Sequence, residues 1–459
     1  MATLAVDLKN RARTGFFVLA AIVLAAGVGV AAAMDPKLGI AACFAIVALP
    51  TAIVRPHFIP HILMVSVFAA SLEFGTVTVG RLAAPLGLLG VAVYILQRPL
   101  ALRYVGLLVS LACGYAILAF GSLWWTVEPY ATIDALLTLG VSVGYGATFA
   151  ILIRNERDLR TLIWVTVFSS TGLAILWITS YATGVDRRFN EAGDPNFFAA
   201  LQVATLPLVL VLASQAKTQA QKLFLSIAIT IIAGSIISTL SLGGLITLAT
   251  TGILICLLPA TTMFRSRMQK GAFLLAGLIG LGALFVVAQE DLNRRLEIKF
   301  GQEDAAGGRG DLWGAAMTGY KERPATGLGY GGFYASSFQL LRTTPGVDID
   351  RHLRFVGVGE YVHNAYIGSL AELGPLGLLL FTGLLLAAIR TLRHASRRAE
   401  LSGDEFKRKV ANALLVGVVA LSVSSFFLST ETSRMLWMFL GVTVAVAKMT
   451  HADAPQIRR

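Results

Sequence analysis

Apolar runs of about 16–22 residues recur along most of the chain, each closed by a short polar stretch. Read as membrane-crossing helices, they fall at roughly 15–34, 38–54, 59–73, 82–97, 104–125, 132–153, 160–182, 196–213, 223–240, 243–259, 271–288, 363–390, 410–428 and 434–449. The run at 59–73 is short and carries Glu73, and the turn Ser238–Gly244 splits 223–259 into two tight halves. Counting partial spans out gives about 12 helices, and counting them in gives about 14. A transmembrane barrel would alternate apolar and polar positions in segments of about 10 residues, and no such alternation occurs. The pattern predicts an all-α polytopic integral membrane protein.

The polar stretches assign sides. Residues 154–160 (RNERDLR), 264–270 (FRSRMQK) and 390–409 are short and basic, which predicts the cytoplasmic side. Residues 183–196 and the long segment 289–362 fall between them, on the opposite, extracytoplasmic side. Lys9, Arg11 and Arg13 precede the first run. That run is longer than the apolar region of a signal peptide, so it reads as an uncleaved span, with both termini cytoplasmic. The chain then divides into N-terminal spans (1–288), a loop domain (289–362), and three last spans with a basic tail (363–459).

The long loop has internal pattern. Asp311 can cap a helix whose apolar positions Leu312, Trp313, Ala316, Met317 and Tyr320 follow helical spacing, and Pro324 ends it. A glycine-rich turn (326–333) follows, then a second short helix in FYASSFQLLR. A loop of this length is usually functional, and it predicts a small folded cap on the membrane surface.

Composition adds constraints. The chain is 56% hydrophobic and 14% charged, against about 25% charged in soluble domains. Its mean hydropathy is +0.72. The net charge of +12 sits in short loops rather than in a nucleic-acid footprint, so no nucleic-acid partner is expected, and membrane lipids are. Cys43, Cys113 and Cys256 lie inside apolar runs without ligand or disulfide spacing, and read as small buried hydrophobes.

Candidate chemistry gathers on the extracytoplasmic side. His363 opens the span that begins near Val362, and a half-dry imidazole there could accept a proton from an attacking hydroxyl. The plainer reading is an amphipathic interfacial histidine. Glu372 lies nine residues on, half a turn round and roughly 13 Å deeper on a straight helix. It cannot orient His363 and reads as polar glue to a neighbouring helix, whereas Glu360 is the nearer partner for His363. Gly374, Pro375 and Gly377 allow a kink or close helix contact. Arg187, Arg188 and Arg309 carry the planar fork that suits phosphate and pyrophosphate, or are solvated loop charges. Asp194-Pro195-Asn196 reads as a helix start whose N–H groups could face an anion.

Other histidines carry less. His57 and His61 are four apart, but Pro56 and Pro60 argue against one regular helix through both, and against a metal pair. His352 is a loop histidine with no evident partner. The chain has no GxSxG elbow, P-loop, HExxH or DxD-like clamp near this face. Transferase chemistry would therefore rest on arginine charge and a protein base.

His363-Asn364 followed by Leu370, Glu372, Gly374 and Gly377 resembles the HN-x5-L-x-E-x-G-x-x-G segment of the O-antigen ligase and Wzy-type polymerase superfamily. Arg309 and Trp313 in GRGDLW, followed by GLGYGGF, resemble its GR-x-x-x-W…G-x-G loop, and RFNEAGDPNFFA resembles the R…G…NPN start of a span. The likeness covers roughly 180–390. One departure stands out: the family often has Ser-Arg-Gly at the start of a span, and this chain reads Ser241-Leu242-Gly243.

The resemblance implies a glycosyltransferase of the bacterial inner membrane with a periplasmic active site, needing neither metal nor other cofactor. Such an enzyme moves glycan from undecaprenyl pyrophosphate to a hydroxyl, which in the ligase branch belongs to lipid A–core. It implies His363 as the base. Arg309, Arg188 and Arg187 would take the pyrophosphate, with Asn196, Trp313 and Tyr361 as further substrate contacts. Within the family the ligase is preferred to the polymerase, and both to a protein O-oligosaccharyltransferase. Outside it stands a lipid-linked glycan transporter. Transport would need polar residues lining several spans, but the spans are nearly charge-free apart from Glu73, Asp134 and Glu372.

Overall fold

The computed structural model describes residues 50–69, 73–74, 77–97, 106–183, 194–259, 262–264, 266–275, 282, 289 and 308–452. The predicted spans at 15–34, most of 38–54, and the end of 271–288 lie outside the described residues, as do Cys43, Arg187 and Arg188.

Helices dominate. In chain order they are α1 (Ile59–Phe68), α2 (Val79–Gln97), α3 (Leu107–Gly121), α4 (Pro129–Leu152), α5 (Glu156–Thr183), α6 (Pro195–Gln215), α7 (Gln219–Ser238) and α8 (Leu242–Leu257). Beyond them come α9 (Arg309–Glu322), α10 (Gly332–Thr343), α11 (Ala365–Leu401), α12 (Glu405–Ser424) and α13 (Arg434–Ala452). The exception is a two-residue antiparallel pairing, β1 (Glu73–Phe74) with β2 (Val77–Thr78). The predicted run 59–73 is therefore not one span: α1 stops at Phe68 and the chain turns through this hairpin.

Among the described residues, seven helices are long and apolar enough to cross a membrane: α3 with its extension to Trp124, α4, α5, α6, α7, α11 and α13. Three shorter apolar helices, Pro56–Phe68, Ala83–Gln97 and Leu242–Leu257, pack among them. The protein is thus an all-helical membrane protein. The expected 12 to 14 crossings are not reached within the described part, where several apolar runs make short helices.

Helix α6 is the axis. Asp194 caps it by accepting from Asn196 N, Pro195 supplies a preset first turn, and nearly every residue from Phe198 to Leu212 is buried. It packs on α5, α7, α8 and α12. Gln202, fully buried, joins α6 to α5: Ser170 Oγ donates to its Oε1, and its Nε2 donates to Ser170 O at 3.1 Å. Helix α13, also largely buried, packs against α4 where Gly146 and Gly441 let the backbones touch; a Cβ on Gly441 would strike the Gly146 carbonyl.

Cys113 and Cys256 correct their expected placement: both are exposed on outward helix faces. In lipid the outer face of a helix is as apolar as the inner one, so an apolar run does not separate core from periphery.

The bundle has two ends. At one, Arg160 meets Glu156 at 2.8 Å and Gln215 at 2.9 Å and lies over the Phe406 ring, Lys409 pairs with Glu405 at 2.7 Å, and Asn412 reaches Thr262 O. This end gathers the basic loops. The other end gathers Asp194, Ser241, residues 308–364, and the turn after α12, whose Ser425 and Leu428 carbonyls accept from Ala365 N. The separation is the one the loop charges predict.

Two short helices occupy the described part of the long loop. Helix α9 ends two residues before Pro324, and α10 covers FYASSFQLLR. The cap of α9, however, is Gly308 at φ +81°, with Asp311 inside its first turn. The glycine turn between α9 and α10 docks on a break in α11. Pro375 has no N–H to give Ala371 O, and Gly374 (φ +68°, ψ −167°) leaves the helical region. The freed carbonyls are taken up from outside: Leu328 N donates to Ala371 O and Gly329 N to Glu372 O, both at 2.9 Å. Non-helical backbone beside a spanning segment survives when protein satisfies it in this way.

Candidate active site

Four helix N-termini meet at the end where the cap domain sits. Asp194 caps α6 and Ser241 caps α8, and the two are linked through Asn196, whose Oδ1 accepts from Ser241 Oγ at 2.5 Å while its Nδ2 donates to Asp194 Oδ1 at 2.9 Å. Arg309 is the first residue of α9. Asn364 caps α11 by accepting from Tyr366 N and Ile367 N at 3.0 and 3.1 Å. Each N-terminus carries a partial positive charge, and together they favour an anion.

His363 immediately precedes that last cap. Its φ of +53° is the left-handed conformation, uncommon outside glycine and costing on the order of 1–3 kcal/mol for a side chain of this size. Buried Val362 on one side and the Asn364 cap on the other hold it there. The ring is half-buried, and its Nδ1 is buried without a hydrogen-bond partner. Burial lowers its proton affinity below the ordinary histidine value; Asp194 raises it and Arg309 lowers it. The imidazole is therefore neutral at pH 7, with its buried Nδ1 unpaired.

Arg309 is half-buried. Burial pulls its proton affinity down, and Asp194 opposes that. Asp194, Arg309 and His363 thus feel one another's charge, although Asp194 Oδ1 is engaged by Asn196. Arginine keeps its charge under such a shift. Trp313 stands four residues on, on the same face of α9. Its Nε1 is buried without a partner, and its ring joins the small core of the cap that includes Val362 and Leu312.

Other predicted residues land apart. Tyr361 is exposed and lies against the Tyr334 ring, centroids 4.6 Å apart. Asn196 uses its amide to tie α6 to α8, which makes it a brace. Leu242, where the resemblance leads one to expect arginine, is half-buried in the first turn of α8. Arg187 and Arg188 lie outside the described residues.

Two expectations change. Glu360 does not serve His363: its carboxylate lies 2.8 Å from His352 Nδ1. His352 is no partnerless loop residue, since it is buried with its Nε2 3.2 Å from Asp311 Oδ2. Glu372 is glue, but to the cap rather than to a neighbouring span, since its Oε2 accepts from Gly331 N at 2.9 Å ahead of α10. Glu431, in the turn before α13, was missed by sequence reasoning. Burial pushes its carboxyl up to about 7, and its Oε2 has no partner. Asp194 was read only as a cap, although its charge also reaches both His363 and Arg309. An acid shortly after an arginine pair was the one available signal.

Residues 225–382, about a third of the chain, match the model of the O-antigen ligase family. It runs from α7 to the break in α11 and contains Ser241, Arg309, Trp313 and His363. No curated protein matches the chain.

Proposed function

We propose a specific reaction, supported by the match of residues 225–382 to the O-antigen ligase family, which favours a ligase- or polymerase-type role in general. The protein transfers glycan from undecaprenyl pyrophosphate to a hydroxyl of lipid A–core, on the periplasmic face of the bacterial inner membrane. His363 takes the acceptor proton as the hydroxyl oxygen attacks the anomeric carbon. The carbon–oxygen bond to pyrophosphate breaks, its electron pair leaves with the pyrophosphate, and a single displacement inverts the centre. Arg309 stabilises the charge that develops on the leaving group. Trp313 Nε1 donates to a sugar or phosphate oxygen, and Tyr361 offers a stacking face. Arg187 and Arg188 remain candidates for the pyrophosphate.

One observation carries the reading. A neutral imidazole with a free nitrogen and an arginine without an ion-pair partner among the described residues share a single electrostatic environment. The convergent N-termini of α6, α8, α9 and α11 give that environment a positive character that no side chain at Leu242 supplies. In the proposed topology the basic loops and both termini are cytoplasmic, and 289–362 is a periplasmic unit between two membrane domains, 1–288 and 363–459.

The test is transfer by detergent-purified protein, without a membrane gradient, from undecaprenyl-pyrophosphate-linked glycan to lipid A–core. Joined product supports the reading. Elongation of the glycan on its own lipid, with bare lipid A–core, points to a polymerase. The absence of any transfer leaves a transporter.

A further inference from the structure

Arg309 and His363 belong to different segments of the cap, and the covalent path between them is long. A buried histidine ties the two. His352 Nε2 lies 3.2 Å from Asp311 Oδ2, two residues after Arg309 in the first turn of α9. Its Nδ1 lies 2.8 Å from Glu360 Oε1, three residues before His363. The side-chain exposures are 4% for His352, 8% for Glu360 and 19% for Asp311, so little solvent competes for these contacts.

The ring also lies against Gly308, the residue before Arg309: a Cβ there would come within 3.3 Å of His352 Cε1. Gly308 holds φ +81°, so both the backbone and the ring favour glycine at that position. Glu360 is fixed from its other side, where its N–H donates to Ser337 Oγ on α10 at 2.9 Å. Both ring nitrogens face carboxylate oxygens, so the one ring spans the two acids.

We infer that His352 is a positioning residue that sets the spacing between Arg309 and His363 through Asp311 and Glu360. This rests on the roles proposed above for those two residues. A misplacement of about 1 Å between reacting groups costs on the order of 100-fold in rate, so a brace at each flank has a kinetic consequence beyond stability. The substrate touches Arg309 and His363; His352 acts through them.

Three measurements separate this from a merely structural role. In His352→Ala, kcat for transfer should fall about 10- to 100-fold while KM for the lipid-linked donor moves less than about threefold. The acid limb of the pH–rate profile should move to higher pH. Arg309 lowers the affinity of His363 for its proton and Asp194 raises it, and the variant loosens the hold on Arg309. His352→Gln, which keeps one donor, should fall between. A variant with lowered melting temperature but unchanged kcat and acid limb overturns the inference.

A readout without catalysis guards against failure of the transfer reading itself. With Cys43, Cys113 and Cys256 replaced by Ser, spin labels at Glu322→Cys on α9 and Val358→Cys, both exposed, should give a narrow distance distribution in the parent and a broad one in His352→Ala. Unchanged width overturns the brace, whatever the enzyme does. Should His352→Ala fail to fold, His352→Gln and Asp311→Asn carry both measurements.

Discussion

The two ends of the bundle treat their polar groups differently. At the basic end the charged groups find partners, although His61 Nδ1 does not: Arg160 has Glu156 and Gln215, Lys407 has Asp404, Lys409 has Glu405, and Lys270 donates to the Cys256 and Leu258 carbonyls at the end of α8. At the opposite end Arg309 makes no ion pair with a described residue, and Trp313 Nε1 and His363 Nδ1 are buried without partners. A buried polar atom left unbonded costs about 1–3 kcal/mol. Unmet groups converging beside four helix N-termini are poorly explained as devices of stability. The first end holds the helices in register, and the second leaves buried polar atoms of the proposed site unpaired.

That contrast can be broken by substitution. His363→Ala should have the largest effect, a loss of about 100- to 10,000-fold in glycan transfer with size-exclusion behaviour unchanged. Arg309→Gln should cost about 100- to 1,000-fold, and Arg309→Lys should recover little, because the fork and not the charge alone is required. The pH dependence sharpens the same point. Burial holds the His363 proton affinity below its ordinary value of 6.5, so kcat/KM should stay level as pH falls to 6.5 and drop only below it. Asp194→Asn should move that limb further down.

Glu431 supplies a stability test. Its carboxyl titrates near 7 in the fold, against 4.5 ordinarily, so the folded protein binds the proton more tightly. Its contribution is present below 4.5 and is lost as pH rises through 7. Glu431→Gln should therefore flatten thermal stability across that window. The smallest effect belongs to the basic end. Glu156→Gln removes an exposed pair and should cost no more than about 1 kcal/mol, with transfer untouched.

Much of the fold was legible because helix periodicity and loop charge are local signals. The turn at Ser238–Gly244, the start at Asp194-Pro195 and the cap helices all stand where the pattern puts them, within a few residues. The orientation of a helix face was not legible, as Cys113 and Cys256 show. Residues of the site were visible by type, since a histidine at a span mouth and arginines in loops on one side are distinctive. Their pairing was not. Glu360 lies close to His363 in sequence and yet bonds His352, because the residues between them form no helix that would stack the two side chains on one face. Asp311 looked like a cap because cap chemistry and bridge chemistry use the same carboxylate.

The break at Gly374 and Pro375 has a mechanical consequence. A spanning helix that lacks one amide donor borrows two from the glycine turn, so the turn is bolted to the span at the depth of Ala371. Rocking of the lower half of α11 would be transmitted to the start of α10, and lifting this side of the cap would require two backbone acceptors to go dry. A hinge at this seam is thus disfavoured.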